Sequence, residues 1–217
     1  QSMARIFRDG LRIVRAKPIL GGLILTGFVH GAFSEGFDRL WTPLALSFAL
    51  PAIGGFQPIV WTSAIQIGAM LLQLPVAELV KRRVHLDHDR SVSRALVTAT
   101  ALIVAGLVGL AIAPSFGVVA IAYGLASTGR QAVGPILQAW KNRQIRGEDS
   151  SARATVLSMY GQVDAIGQIS GGPVVGAIGN ASLRLAMLAS AGILSPALLL
   201  YGRAGRPVTK TETPTEG

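Results

Sequence analysis

The segment ALVTATALIVAGLVGLAIA, residues 95–113, contains no charged side chain. An α-helix rises 1.5 Å per residue, so a segment of this length spans roughly 28 Å, close to the ~30 Å hydrocarbon core of a bilayer. A hydrophobic stretch of 18 or more residues with no charge is typical of a transmembrane helix. The segment therefore predicts a helix that crosses a membrane.

Similar apolar stretches of 17 to 25 residues recur on both sides of this segment. They are Ile19–Trp41, Pro58–Val80, Arg94–Ala113, Phe116–Ala139, Ala154–Ile178 and Leu183–Tyr201. Half of the chain is hydrophobic and 14% is charged, whereas a soluble domain has about 25% charged residues. The 26 glycines are typical of membrane helices. We predict an all-α membrane protein with six transmembrane helices.

The segments that flank this domain are polar. Residues 1–18 form a basic linker, which could also lie on the membrane as a short amphipathic helix. Residues 202–217 contain polar residues and prolines, and we expect a disordered tail. The chain has no cysteine, which excludes disulfides and thiolate zinc sites.

The basic residues alternate along the chain with the predicted spans. The net charge is +9, and 17 of the 20 basic residues lie before the first span, after the second, after the fourth or after the sixth. These residues are Arg5, Arg8, Arg12, Arg15, Lys17, Lys81, Arg82, Arg83, Arg90, Arg94, Lys141, Arg143, Arg146, Arg153, Arg203, Arg206 and Lys210. Cytoplasmic loops carry such an excess. We predict an inner-membrane protein with both ends in the cytoplasm. Its positive charge then faces the lipid bilayer, with no need for nucleic acid.

Polar residues recur at helical spacing in four of the six spans. The candidate pathway residues are His30, Glu35 and Asp38 in the first span, Gln66 and Gln73 in the second, Tyr123 and Arg130 in the fourth, and Asp164 and Gln168 in the fifth. Polar side chains in a bilayer face the bundle interior or a water-filled cavity. These four helices are therefore predicted to surround a solute pathway, while the third and sixth face lipid. The alternative is that the polar residues only join helices by hydrogen bonds.

Asp164 is the most costly of these residues. Counted from Arg153, it lies roughly 16 Å into the bilayer, near its middle. An aspartate there costs about 2.5–3.5 kcal/mol on insertion scales. We expect either proton coupling or a structural bridge, with Arg130 as its partner.

The remaining carboxylates lie near the ends of their spans. Asp38 and Glu35 are predicted at the outer mouth, either as a proton site or with Glu35 bridged to Arg39. Glu78 is expected to pair with Lys81 or Arg82.

The fifth span also contains glycines at spacings that allow close helix approach. These are Gly167 with Gly171, and Gly172 with Gly176, while Pro173 invites a bend. The loop His85–Asp89 could hold a metal, but a plain titratable loop is favoured. No phosphate-binding loop motif and no catalytic pair are present, so we predict neither an enzyme nor a cofactor.

Three features resemble the C-terminal half of a major facilitator superfamily transporter. They are SEGFDRLW at residues 34–41, RATVLSMYGQVDAIGQISGGPVVGAIG at residues 153–179, which is similar to the penultimate helix of bacterial efflux-type members, and the six-span layout after a basic linker. The resemblance covers residues 1 to about 203. The superfamily's cytoplasmic loop motif is reduced here to Asp89 and Arg90 followed by Arg94.

The resemblance implies a half built from two inverted three-helix repeats. It implies a second, N-terminal six-helix half as partner, a small organic solute moved by alternating access, and proton-coupled efflux. The first and fourth spans would line the cavity, and the second and fifth would flank it. A non-transporting membrane scaffold and an uptake carrier of the same fold remain alternatives.

Overall fold

The computed structural model describes residues 3–51, 54–147 and 150–205, and within these ranges every regular element is an α-helix. The helices are α1 (Met3–Ala16), α2 (Pro18–Leu46), α3 (Pro58–Arg83), α4 (Asp89–Ile112), α5 (Phe116–Gln144), α6 (Ser150–Ala181), α7 (Leu183–Leu194) and α8 (Pro196–Ala204). The predicted all-α class is confirmed. Of the predicted tail, residues 202–204 belong to α8, and residues 206–217 lie outside the described residues.

Proline and serine mark where several helices begin. Pro18, Pro58 and Pro196 each lie in the first turn of their helix, where the missing N–H would have no intrahelical partner. Ser182 caps α7 by accepting a hydrogen bond from the Leu185 backbone N–H at 3.3 Å. Ser195 keeps a right-handed helical backbone between α7 and α8. Leu183–Ala204 is therefore one candidate span, interrupted only by the proline.

Among the described residues, four segments are long and apolar enough to cross a membrane. They are Ile19–Leu46, Pro58–Arg83, Asp89–Ile112 and Leu183–Ala204. The other two predicted spans lie in α5 and α6, which are 29 and 32 residues long. These helices are long enough, but polar residues near their centres, such as Arg130 and Asp164, lower their mean hydropathy. Composition alone thus supports four of the six predicted spans.

The helices pack in two layers. The front layer runs in the order α3, α5, α2, α6, and the back layer consists of α4 with α7 and α8. The most extensive contacts join α2 to α6 and α4 to α5. The front layer therefore contains the four helices that carry the polar residues.

Close contacts at glycines show the direction of each pair. On α2 and α6, Gly31 lies against Asp164, and Gly36 lies against Val175, so these two helices run parallel. On α4 and α5, Gly106 lies against Ala126, and Gly109 lies against Ala122. The second pair therefore runs antiparallel.

Burial separates α4 from α3 in a way that the sequence analysis did not expect. Leu96, Ile103 and Leu107 of α4 are fully buried, because this helix packs against both α5 and α7. In α3 only Thr62 and Ala69 are buried. The third predicted span is thus part of the core on one face, and the second is the most exposed helix of the bundle.

The two ends of the bundle can be told apart by their contacts. At one end, Lys17 Nζ donates to the backbone oxygen of Gln144 at 2.9 Å, and Ser93 Oγ donates to that of Tyr201 at 2.7 Å. At the opposite end, Arg184 donates to the Ala113 carbonyl at 2.8 Å. The first end collects the α1–α2, α3–α4 and α5–α6 connections and the end of α8. Most of the basic residues lie in these connections or in the helix segments next to them.

Candidate functional site

A carboxylate–guanidinium pair joins α2 and α5 in the front layer. Both Arg130 terminal nitrogens contact the Asp38 carboxylate, and the Nη2–Oδ2 distance is 2.9 Å. The prediction that Arg130 pairs with Asp164 is therefore wrong. α2 continues to Leu46, five residues beyond the predicted end of the first span. Asp38 consequently lies deeper in its helix than expected, within reach of Arg130.

Aromatic side chains form one wall of this pair. The Phe37 and Tyr123 rings stack with centroids 5.4 Å apart, and the Trp41 and Tyr123 centroids are 4.1 Å apart. The Arg130 guanidinium carbon lies 5.9 Å from the Phe37 ring centroid, within cation–π range. Tyr123 therefore belongs to this site as a packing surface for the charged pair.

The ion pair remains accessible. The Arg130 and Asp38 side chains are 37% and 52% exposed. A salt bridge kept only to join two helices gains most when its remaining donors and acceptors are satisfied and sealed. Here one side of the pair stays open, so a solute, water or a proton can reach it.

Asp164 has different neighbours. Its Oδ2 accepts a hydrogen bond from Gln168 Nε2 at 2.8 Å, one turn along α6. Its charge acts on Lys141 of α5, whose Nζ lies 3.4 Å from the centroid of the Tyr160 ring. Burial lowers the pKa of Lys141 to about 8, and the negative charge of Asp164 opposes this shift.

Lys141 is a site residue that sequence reasoning missed. It lies two residues beyond the predicted end of the fourth span and was counted there as a loop cation, yet it is only 8% exposed. A signal was present, because Lys141 is eleven residues from Arg130 and eighteen from Tyr123, and these spacings place all three on one helical face.

The polar residues predicted to share one face of α2 make separate contacts in the fold. His30 Nε2 lies 3.1 Å from the Tyr201 hydroxyl of α8, and its ring packs on Phe33 at 5.5 Å. Ser34 donates to the Gly31 carbonyl within its own helix. His30 thus points to the back layer, away from the open side of the Asp38–Arg130 pair.

The other predicted carboxylates bind arginines one turn away. Glu35 pairs with Arg39 at 2.6 Å, and Glu78 pairs with Arg82 at 2.8 Å. Glu35 and Gln168 also line a cleft of about 710 Å³ between α2 and α6. Glu35 therefore borders an open space while it holds a local bridge.

The predicted polar residues of α3 have unequal surroundings. Gln73 Oε1 accepts a hydrogen bond from Gln131 Nε2 of α5 at 3.0 Å, which ties the two helices together. Gln66 is exposed.

The predicted glycines of α6 also fall into two groups. A Cβ added at Gly167 would lie 2.2 Å from the Phe28 carbonyl oxygen, and one at Gly171 would lie 2.2 Å from that of Ala32. A Cβ at Gly172 would make only ordinary contacts with Glu35, and one at Gly176 would meet nothing. α6 continues through the exposed Pro173 without ending. Of the four predicted glycines of α6, only Gly167 and Gly171 therefore allow the close approach of α2.

The prediction that Asp89, Arg90 and Arg94 lie in a cytoplasmic loop is wrong, because α4 begins at Asp89 and contains all three. The Asp89 side chain links the start of α4 to the end of α5. Asp89 accepts hydrogen bonds from Trp140 Nε1 at 2.7 Å and from Gln144 Nε2 at 3.2 Å, and it also contacts Arg143. The other two predicted loop residues, Arg90 and Arg94, are exposed and line a shallow cleft between α4 and α8. Among the described residues no group of three potential metal ligands occurs.

Neither the protein-family models nor the curated proteins contain a match to this chain. Its chemistry must therefore be judged from the site itself. Two carboxylates, Asp38 and Asp164, each lie near a cation supplied by α5. The first pair is open, and the second has a buried cation. The open pair presents an anionic and a cationic group on an accessible surface of the front layer.

Proposed function

We propose that the chain is a six-helix half of a secondary transporter of the major facilitator type, which moves a small organic solute by alternating access. The open Asp38–Arg130 pair carries this proposal. Charges within apolar helices cost several kcal/mol on most scales and are kept mainly where they mark a solute or ion path. A pair that is accessible in the polar layer of the bundle fits that role.

Six crossings are supported by the way the less apolar helices pack. α6 lies parallel to α2, and α5 lies antiparallel to α4, with close contacts along each pair. Both α2 and α4 contain candidate spans. If α2 and α4 cross the bilayer, then α6 and α5, which pack along them, lie at the same depth in the bilayer. The polar residues that lower the hydropathy of α5 and α6 then point toward the front layer.

The proposed orientation follows from the charged end of the bundle. Basic residues cluster at the end where Lys17 caps α5 and Arg143 contacts Asp89. The positive-inside pattern assigns this end to the cytoplasm. The proposed location is a bacterial inner membrane, and a second six-helix half would cover the front layer.

The two charged pairs suggest a coupling mechanism. Protonation of Asp38 would cancel the attraction that holds Arg130, and Arg130 would then be free to bind an anionic group or move with its helix. Asp164 would act as a second carboxylate, with Lys141 of α5 as its nearby cation. Coupling is thus assigned to Asp38 first and to Asp164 second.

The test is flux into inside-out membrane vesicles that contain the intact gene product. Ethidium and a panel of amphipathic dyes serve as solutes, with and without an imposed pH gradient. Asp38→Asn and Arg130→Gln should abolish gradient-driven uptake without loss of the protein from the membrane. Glu78→Gln, which breaks a comparable ion pair at a helix end, should keep it. If no panel member moves with the gradient, the efflux assignment is contradicted.

A scaffold differs from a transporter in its response to a charge exchange. Combining Asp38→Arg with Arg130→Asp would restore an ion pair of opposite direction. A scaffold should then recover both stability and assembly. A transporter should recover stability while transport stays lost, because the titrating group has moved to another helix. Recovery of transport would show that only the bridge matters.

A further inference from the structure

A second cavity lies between α3 and α5, away from the Asp38–Arg130 pair. It has a volume of about 670 Å³, within the 300–1,000 Å³ typical of ligand sites. Its lining is mostly apolar, with contributions from Met70, Val80 and Ile136. Only a few polar groups reach it, which is the usual design of a pocket that orients an apolar ligand.

One of these polar groups has no partner. Thr128 lines the cavity and is only 6% exposed, yet its hydroxyl oxygen makes no hydrogen bond. A buried hydroxyl without a hydrogen-bond partner is unfavourable, because it loses its bonds to water and gains none in return. Beside it, the Gln73–Gln131 amide pair also lines the cavity. The amide pair, together with the Thr128 hydroxyl once a rotation about χ1 turns its sealed oxygen toward the cavity, forms a polar end that can receive a hydrogen-bonding atom.

The other end of the cavity is cationic. Lys81 lines it, and the carboxylate closest in sequence, Glu78, is bound by Arg82 at 2.8 Å. Within the described part of the chain, no carboxylate forms a salt bridge with Lys81. Lys81 is therefore available to pair with an anion at the basic end of the bundle.

The spacing of the two ends sets the length of the ligand. Lys81 follows Gln73 by eight residues, which corresponds to about 12 Å along α3. An extended chain advances roughly 1.2 Å per bond, so about ten bonds cover this distance. Thr128 lies nearly one helical turn beyond Gln131, which adds a few ångströms.

We propose that the α3–α5 cavity binds an elongated amphipathic anion. Its carboxylate or phosphate pairs with Lys81, its hydrocarbon body of about ten to twelve carbons fills the apolar middle, and a hydroxyl or carbonyl group at its far end bonds Thr128. This site is separate from the Asp38–Arg130 pair, because neither residue of that pair lines the cavity.

Binding of tritiated 12-hydroxydodecanoate to the full chain in phosphatidylcholine nanodiscs tests the proposal, with empty nanodiscs as background. Saturable binding of one molecule per chain is expected. Lys81→Gln should raise the Kd at least tenfold and Thr128→Val at least threefold. Ala77→Trp, at an exposed lining position, should block binding by filling the cavity.

Two matched controls separate specific from general effects. Arg83→Gln removes the same charge from the same helix end but lies outside the cavity lining, and Thr100→Val replaces another buried, unpartnered threonine outside it. Both should leave the Kd within twofold. Equal losses in Lys81→Gln and Arg83→Gln, or equal binding of dodecyltrimethylammonium, would overturn the proposal.

A second arm distinguishes a membrane lipid from a free ligand. Replacing one fifth of the phosphatidylcholine with phosphatidylglycerol supplies an anionic headgroup in the leaflet. If phosphatidylglycerol raises the apparent Kd of the wild-type chain for 12-hydroxydodecanoate at least fivefold, and does not raise that of Lys81→Gln, a lipid occupies the cavity. An unchanged Kd alongside saturable binding would support a free amphipathic anion. Non-saturable uptake that is equal in all variants would refute both.

Discussion

The contact between α2 and α6 gives the sharpest quantitative prediction. Gly171 and Gly176 lie five residues apart on α6, but only Gly171 touches α2. An added Cβ at Gly171 would lie 2.2 Å from the Ala32 carbonyl oxygen and 2.5 Å from its Cα, whereas a Cβ at Gly176 would meet nothing within 4 Å. The same substitution by alanine therefore probes a close contact at one position and open space at the other.

The expected cost follows from this difference. To accept the Cβ at Gly171, the two helices must separate by roughly 1 Å, and a gap of 0.5–1 Å forfeits a quarter to a half of each dispersion contact. Overpacking of this kind costs about 1–3 kcal/mol. The gain in helix propensity from glycine to alanine, about 1 kcal/mol, is shared by both variants. Gly171→Ala should thus be less stable than Gly176→Ala by about 1–3 kcal/mol, or roughly 5- to 150-fold in the unfolding equilibrium.

Equilibrium unfolding in mixed micelles measures this difference. The purified chain in dodecyl maltoside is titrated with sodium dodecyl sulfate while the fluorescence of its three tryptophans is followed. Gly167→Ala, whose Cβ would lie 2.2 Å from the Phe28 oxygen, should behave like Gly171→Ala. If Gly171→Ala and Gly176→Ala unfold within 0.5 kcal/mol of each other, the close parallel packing of α2 and α6 is refuted.

Three further predictions use other contacts. In this cysteine-free chain, Ser115→Cys should react with an impermeant maleimide from outside and Arg146→Cys only from inside; labelling from the same side would show that α5 does not cross. Asp89→Ala should cost about 1–3 kcal/mol, because the buried Trp140 indole N–H loses its acceptor, and a red-shifted emission should accompany the loss. Burial lowers the pKa of Lys141 to about 8, so the folded chain releases this proton before the unfolded chain. The free energy of unfolding should therefore rise by about 2 kcal/mol between pH 8 and 10, and a Lys141→Met variant lacking this rise is the check.

Helix positions were accessible from sequence because their signals are local. Apolar runs and first-turn prolines place the starts of α2, α3 and the α7–α8 segment within one or two residues. The end of α2 was set five residues too early. Trp41 looks like an interfacial residue in sequence, whereas in the fold its ring stacks on Tyr123 inside the bundle.

The sequence did not predict which residues of neighbouring helices contact each other. The depth of a residue along its own helix says nothing about the stagger and tilt of the neighbouring helix. The count along α5 and α6 therefore paired Arg130 with Asp164, although Asp38 holds it in the fold. Lys141 was missed because the flexible stem of a lysine can carry its charge several ångströms from the position at which its Cα leaves the span.

The weak attachment of α3 has a consequence for biogenesis. α3 packs mainly on α5, whose last residue is made about sixty positions after α3 ends. At 5–20 residues per second, α3 lies in lipid without α5 for roughly 3–12 s. Its apolar composition allows it to remain there without a packing partner. α5 and α6, with their internal charges, emerge only after α4 and α2 are available to receive them. The order of synthesis therefore ensures that the helices with charged residues, α5 and α6, are made after the helices against which they pack.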